Sequence, residues 1–322
     1  MKVSRGIAWA AVIFALAFLV ACTGKKSDPG TVTLGIVSID VNDSGNARTI
    51  RGATERAKEL GWEVIVIDAS GSADSANAAM QNLATRGTKA IINLVFPVTS
   101  LGLGLRSAQQ AGAVVGTWGG GMDENGIVAT TNGSGGLFAE PIVAQMVSDM
   151  GGSGSILALT YRTGQVARER EQVLDRVLAN YPNIRVTKNE VRIPGYTQDG
   201  MDFARAWLAA HPAGNEPLAI WGSWDDPALG AISAMRQMNR PDVLVYGQNG
   251  NIDAVLAVES GWLTATAWAA AEEEGRVLVD TLKEALEMGD SWVPKSMEVP
   301  PVVVNAETVA DFIERYPWAA GR

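Results

Sequence analysis

From Val32 onward the chain alternates short β-branched, apolar runs with amphipathic segments, joined by brief polar stretches. Val32–Ser38 reads as a buried strand. Asn46–Leu60 follows at helical spacing, with Ile50, Ala53 and Ala57 on one side and Arg48, Arg51, Glu55 and Lys58 elsewhere. Gly61 takes the position just past a helix C-terminus. Glu63–Ile67, Ala90–Val95 and Ala113–Thr117 continue as strands, with helices near 73–86 and 101–111 between them. A second series begins after the glycine-rich stretch Gly133–Gly136. Its strands are Ser155–Leu159, Arg185–Thr187, Leu218–Trp221, Val243–Tyr246 and Ala265–Ala267. Its helices fall near 165–180, 200–210, 228–238, 251–259 and 270–288. Strand–helix alternation of this kind predicts parallel sheets with right-handed crossovers. The fold class is therefore α/β, with two doubly wound parallel-sheet lobes. A ligand site is expected in the cleft between them, at the carboxyl ends of the strands.

The first thirty residues differ in kind. Lys2 and Arg5 form a basic head before the uncharged, mostly apolar run Ile7–Val20. That run is shorter than the roughly 20 residues of a membrane-spanning helix and reads as a secretory signal. Leu19-Val20-Ala21-Cys22 resembles the bacterial lipobox, in which the Cys thiol accepts a lipid and the chain is cut just before it. The expectation is a signal peptide over 1–21 and a polar tether over 22–31. The protein would then be lipid-anchored at Cys22 on the periplasmic or cell-surface face of a bacterial membrane. The rival reading is an ordinary signal peptide whose lone Cys is incidental.

Composition narrows the chemistry. A chain of 322 residues with 47% hydrophobic residues is long enough for about two domains with ample cores. Thirty-five acids against 26 bases, a net charge of −9, leave no basic footprint for nucleic acid. One Cys and one His (His211) exclude a disulfide framework within the chain and multi-thiolate metal sites, and make a His-rich metal site or Ser-His-Asp triad hard to build. Asp225-Asp226 is only a weak acid motif, and Gly119–Gly121 lacks the Lys-Ser/Thr ending of a phosphate loop. We expect no enzyme activity, no cofactor and no metal.

Several stretches in order resemble the periplasmic binding protein-like I family, in its ribose- and sugar-binding branch. They are the run from Gly35 to Val95, then TNGSGGLFAEPIVAQMVSDMGGSGSILAL, ARERE, DDPALGAISAM, VYGQNG and GWLTATAWAAAEEEGRVLVDTLKEAL. The resemblance spans roughly Thr31–Gly289. It implies two lobes joined by a three-segment hinge that close over one small molecule, and delivery of that molecule to an ABC permease. By analogy the N-terminal lobe takes 32–131 and 270–298, and the C-terminal lobe 132–269 and 299–322. A sugar or polyol is the implied ligand. An aromatic or nucleoside-like ligand, or a sensory lipoprotein signalling to a chemoreceptor or kinase, are the alternatives.

The resemblance also implies ligand residues. Arg168, the first Arg of Ala167–Arg170, matches the family's hydroxyl-binding Arg, and its planar guanidinium suits vicinal hydroxyls. Its rival role is a surface charge paired with Glu171. Asn249 stands where the family carries an Asp, and Asp225 follows Trp224 where the family has an Asn-Asp pair. In the first loop the family's aromatic pair is absent, leaving Asp43, Ser44, Gly45 and Asn46. Ten Trp residues are many for this chain, and Trp118, Trp221 and Trp224 fall at or just past strand ends, with Trp268 near the lobe crossover. Flat indoles there can stack on sugar C–H faces or on aromatic rings. The candidate ligand set is Arg168, Asn249, Trp118, Trp224, Asp225, Asp43, Asn46, Trp221 and Trp268. Core packing for the Trp residues and helix capping for Asp43 and Asp225 are the competing roles.

Overall fold

In the computed structural model, which describes residues 30–122, 126–131 and 135–322, the strands gather into two six-stranded sheets. Cys22, with the rest of the expected export signal, lies outside the described residues. The first sheet contains β1 (Thr33–Ser38), β2 (Glu63–Asp68), β3 (Ala90–Leu94), β4 (Val114–Trp118), β5 (Ile127–Thr131) and β11 (Lys295–Met297). Its order is β11-β5-β4-β3-β1-β2, with every pairing parallel. The second contains β6 (Gly154–Thr160), β7 (Ile184–Glu190), β8 (Leu218–Gly222), β9 (Leu244–Asn249), β10 (Ala265–Trp268) and β12 (Val302–Asn305). Its order is β12-β10-β9-β8-β6-β7, parallel except for the edge strand β12, which runs antiparallel to β10. Each sheet is one lobe, and the chain crosses between them three times: after β5, after β10 and after β11.

Ten α-helices are described: α1 (Ser44–Glu59), α2 (Ala73–Thr85), α3 (Gly102–Gln110), α4 (Gly135–Asp149), α5 (Gln165–Leu178), α6 (Tyr196–Ala210), α7 (Asp225–Met238), α8 (Ile252–Glu259), α9 (Ala271–Met288) and α10 (Val309–Arg315). Strands β1 and β3 are buried along nearly their whole length, which is why they read as continuous apolar runs and not as alternating ones. Gly61 adopts φ +75°, the left-handed turn expected of a glycine just past a helix end. Of the glycine-rich stretch 133–136, Gly135 and Gly136 are the first described residues of α4.

Helix α9 returns from the second lobe to cover the first. Leu278 and Leu282 are fully buried and lie against Gly116 of β4. α9 meets α1 with backbone almost touching backbone: a methyl on Gly52 would sit 1.9 Å from the Glu272 carbonyl oxygen, and one on Gly275 would sit 2.3 Å from that of Thr49. Gly52→Ala and Gly275→Ala are each expected to force the helices apart and cost about 1–3 kcal/mol, the usual range for overpacking. Thermal melts of the two variants check this, and a melting temperature equal to the parent's would contradict so close a contact.

Candidate functional site

The loops at the carboxyl ends of both sheets line a shared cavity. From the first lobe, α1 starts directly after the β1 loop, so its first turn points into the cleft. Asp43 caps that helix, its Oδ1 accepting from the Asn46 backbone N–H at 2.9 Å, and also lines the cavity. Asn46 donates from Nδ2 to the Asp40 carbonyl at 2.8 Å, while its buried Oδ1 has no partner among the described residues. Trp118, last residue of β4, supplies an indole wall and donates its N–H to Glu274 of α9. Burial pushes the Glu274 carboxyl up to about 7.

From the second lobe come Ser223 and Trp224 after β8, Asn249 at the end of β9, and one arginine of α5. The Trp224 indole stands edge-on to Tyr161 and Tyr196, with ring centroids 6.0 and 5.5 Å away. Its Nε1 and the Ser223 Oγ are buried without partners among the described residues. The arginine is Arg170, not Arg168. Arg170 is 2% exposed, donates to the Ser223 carbonyl at 2.8 Å and to Asn249 Oδ1 at 2.9 Å, and keeps its Nε unpartnered among the described residues. Burial lowers its guanidinium to about 10, while the charges of Asp225 and Asp43 act in the opposite sense.

Two positions along a helix lie about 200° apart around its axis, so Arg168 turns away from the cavity. It donates to Gln165 Oε1 and to the Arg162 carbonyl. It does not pair with Glu171 either, which takes Arg162 and Lys188 as partners. The buried face of α5 carries Val166, Ala167, Arg170, Glu171, Val173 and Leu174. That stripe is visible in the sequence, and it includes Arg170 and omits Arg168.

Of the other candidates, Asp43, Asn46, Trp118, Trp224 and Asn249 meet at the cavity, and Asp225, Trp221 and Trp268 do not line it. Asp225 is fully buried behind it, where its carboxylate accepts from the Asn251 N–H at 2.9 Å and Thr266 Oγ1 at 2.7 Å. It ties α7 to the β9 and β10 ends, and burial raises its carboxyl to about 7. Trp221 lies in the core of the second lobe beside Phe138 and Tyr246. Trp268 packs at the lobe crossover against Phe312, Tyr316 and Trp318, with the Arg48 guanidinium 5.8 Å from its ring.

The lobes touch around the cavity. Arg48 of α1 donates to the Ala269 carbonyl at 2.8 Å and pairs with Glu272. Ser44 Oγ donates to Asp226 at 2.8 Å and accepts from Asn251 Nδ2 at 2.9 Å. Val95 holds a left-handed backbone, φ +74°, unusual for a β-branched residue. Its N–H donates to the Trp118 carbonyl, and its own carbonyl accepts the Gln165 N–H from the other lobe at 3.1 Å.

Two lobes joined by three crossings around such a cleft define a solute-binding protein, and comparison with known proteins agrees. Residues 34–291 match the model of the periplasmic binding protein domain. The chain belongs to that family, whose members are extracytoplasmic, non-enzymatic components of solute transport. It is 28% identical over 240 residues to the ribose import binding protein RbsB of Salmonella typhimurium, covering 73% of this chain and 78% of that protein. It is 26% identical over 255 residues to the xylitol-binding protein of Mycolicibacterium smegmatis, covering 76% and 69%. Among solved structures, an ABC transporter solute binding protein from Agrobacterium vitis with bound allitol has the same fold. Its TM-score is 0.79 at 24% identity, covering 88% of this chain and 99% of that one. A solute binding protein from Mycobacterium smegmatis with bound glycerol superposes with a TM-score of 0.78 at 24% identity, covering 88% and 96%. No helix among the described residues is long and apolar enough to cross a membrane.

Proposed function

We propose that this chain is the substrate-binding lipoprotein of an ABC importer and captures a small neutral sugar or polyol by lobe closure. One observation carries the reading: Asn46 Oδ1, Arg170 Nε, Ser223 Oγ and Trp224 Nε1 are buried around one cavity without partners among the described residues. Buried polar atoms are ordinarily paired, and a solute with several hydroxyls can donate to the first and accept from the arginine and indole N–H groups. The ligand set is then Asp43, Asn46, Trp118, Trp224 and Asn249 together with Arg170. The relatives named for ribose and xylitol, and the neighbours holding allitol and glycerol, support the same ligand class.

The N-terminal lobe takes 32–131 and 270–298, the C-terminal lobe 132–269 and 299–322, and the three crossings form the hinge. A ligand touched from both lobes shifts the open–closed balance towards closed. Lipidation at Cys22 would hold the protein at the membrane beside its permease. Calorimetry against ribose, xylitol, allitol, glycerol and other sugars and polyols is expected to find at least one ligand of micromolar affinity or better. Silence across that panel, with tryptophan emission quenched by nucleosides, would replace the reading by the aromatic one.

A further inference from the structure

The cavity wall is chemically divided. Its polar groups are contiguous: Asp43 bonds Asn46, a methyl on Gly45 would lie 3.0 Å from Asn249 Nδ2 and 3.3 Å from Asp43 Oδ1, and Arg170 joins Asn249 to Ser223. The apolar groups are contiguous as well. Val95 is bonded to the Trp118 backbone, and Gly164 lies between Val95 and Tyr161, whose ring meets Trp224. Val166, Ala167 and Ile193 add aliphatic surface to the lining. On this side the Trp118 indole N–H is already bonded to Glu274. The polar groups left here are the Tyr161 hydroxyl and the Trp224 N–H, against Asp43, Asn46, Asn249, Arg170 and Ser223 on the other, so hydrogen-bonding capacity is concentrated at one end.

The geometry points to a ligand with two unlike ends: adjacent hydroxyls for the Asn46–Arg170–Asn249 side, and a methyl or other deoxygenated carbon for the Val95–Tyr161–Val166 side. This deepens, and rests on, the reading that the cavity takes a polyhydroxylated solute. A hydroxyl delivered against the Val95 and Val166 carbons gives up its bonds to water for aliphatic contact, so the fully hydroxylated solute is the poorer ligand.

Matched pairs differing in one terminal hydroxyl test this by calorimetry: D-galactose against D-fucose, L-mannose against L-rhamnose, and erythritol against butane-1,2,3-triol. In the pair that binds, the deoxygenated member is expected to bind about tenfold tighter or more. Val166→Thr, which puts a hydroxyl in place of a methyl on the apolar wall, is expected to narrow that ratio at least threefold. Equal affinities, or tighter binding of the fully hydroxylated member, would overturn this inference and leave the sugar and polyol reading standing. An unchanged ratio in Val166→Thr would overturn the assignment of the apolar end. No heat from either member of any pair, with heat from ribose, xylitol, allitol or glycerol, would overturn this inference alone; silence from those four as well would overturn the reading beneath it.

Discussion

Arg170→Ala is expected to weaken binding of the cognate solute roughly a hundredfold or more, about 2.7 kcal/mol, while Arg168→Ala changes it less than twofold. Truncating one partner of a buried, hydrogen-bonded charge is costly because the groups it leaves behind stay buried and unpaired. In Arg170→Ala those groups are the Ser223 carbonyl, Asn249 Oδ1 and the ligand oxygen that faces Nε. The first two are native contacts, so the ligand-free protein should also lose stability, by about 2–4 kcal/mol. Arg170→Lys keeps the charge but cannot make the same fork of bonds, and should recover only part of both losses. Titration calorimetry and thermal melts on the four proteins separate binding from folding. Wild-type affinity in a folded Arg170→Ala protein would remove this residue from the site.

The second large effect is on pH. Asp43 of the first lobe and Asp226 of the second are brought together where the lobes meet, with Ser44 and Asn251 bonded around Asp226. Both carboxyls are held above the ordinary carboxylate range. For Asp43 the largest cause is burial, followed by the charge of Asp226; for Asp226 it is burial, with Asp225 adding to it and the Ser44 bond opposing. Asp40 and Tyr196 also face this group, and Arg170 provides the nearby positive charge.

The sign follows from which form binds the proton. Near and below 3.8 the separated and the joined lobes are both protonated, and closure is unopposed. Between there and about 8 the joined form keeps a proton that the separated form releases, so each rise in pH works against closure. Affinity should therefore strengthen as pH falls from 8 to 5, by up to about tenfold per unit for one proton taken up. Calorimetry in buffers of different ionisation enthalpy counts that proton, and Asp226→Asn should flatten the profile. Affinity that is level from pH 5 to 8 in the parent protein would show that closure takes up no proton here.

Most of the fold was legible because a strand buried on both faces writes an unmistakable apolar run, as at Leu34–Val37 or Ala90–Leu94. The elements that escaped have physical reasons for doing so. β11 is three residues of the edge sequence KSM, two of them exposed, and β12 is a short edge strand. Helix α4 buries Phe138, Ala139, Ile142, Val143, Met146 and Val147 and carries Pro141 inside, so little polar periodicity marks it. At the site, strand-end logic pointed to Trp118 and Trp224, because carboxyl ends of parallel strands converge on the cleft, while Asn249 came from the family resemblance. The same logic overreached at Trp221, one residue before the end of β8 and turned into the core. Arg170 was missed by matching the first arginine of a motif when the helix face selects the second.

The three crossings bear on how the molecule is made. Ribosomes deliver a chain from its N-terminus, and a contiguous domain can fold as soon as it has emerged. Neither half of this protein is contiguous. The first sheet waits for α9, with Leu278, Val279 and Leu282, and for β11 at Lys295–Met297, both of which follow most of the second sheet. The second sheet in turn waits for β12 at Val302–Asn305. Synthesis therefore ends with two unfinished halves completed almost together. With this connectivity, neither sheet can be completed before residues 295–305 have been made.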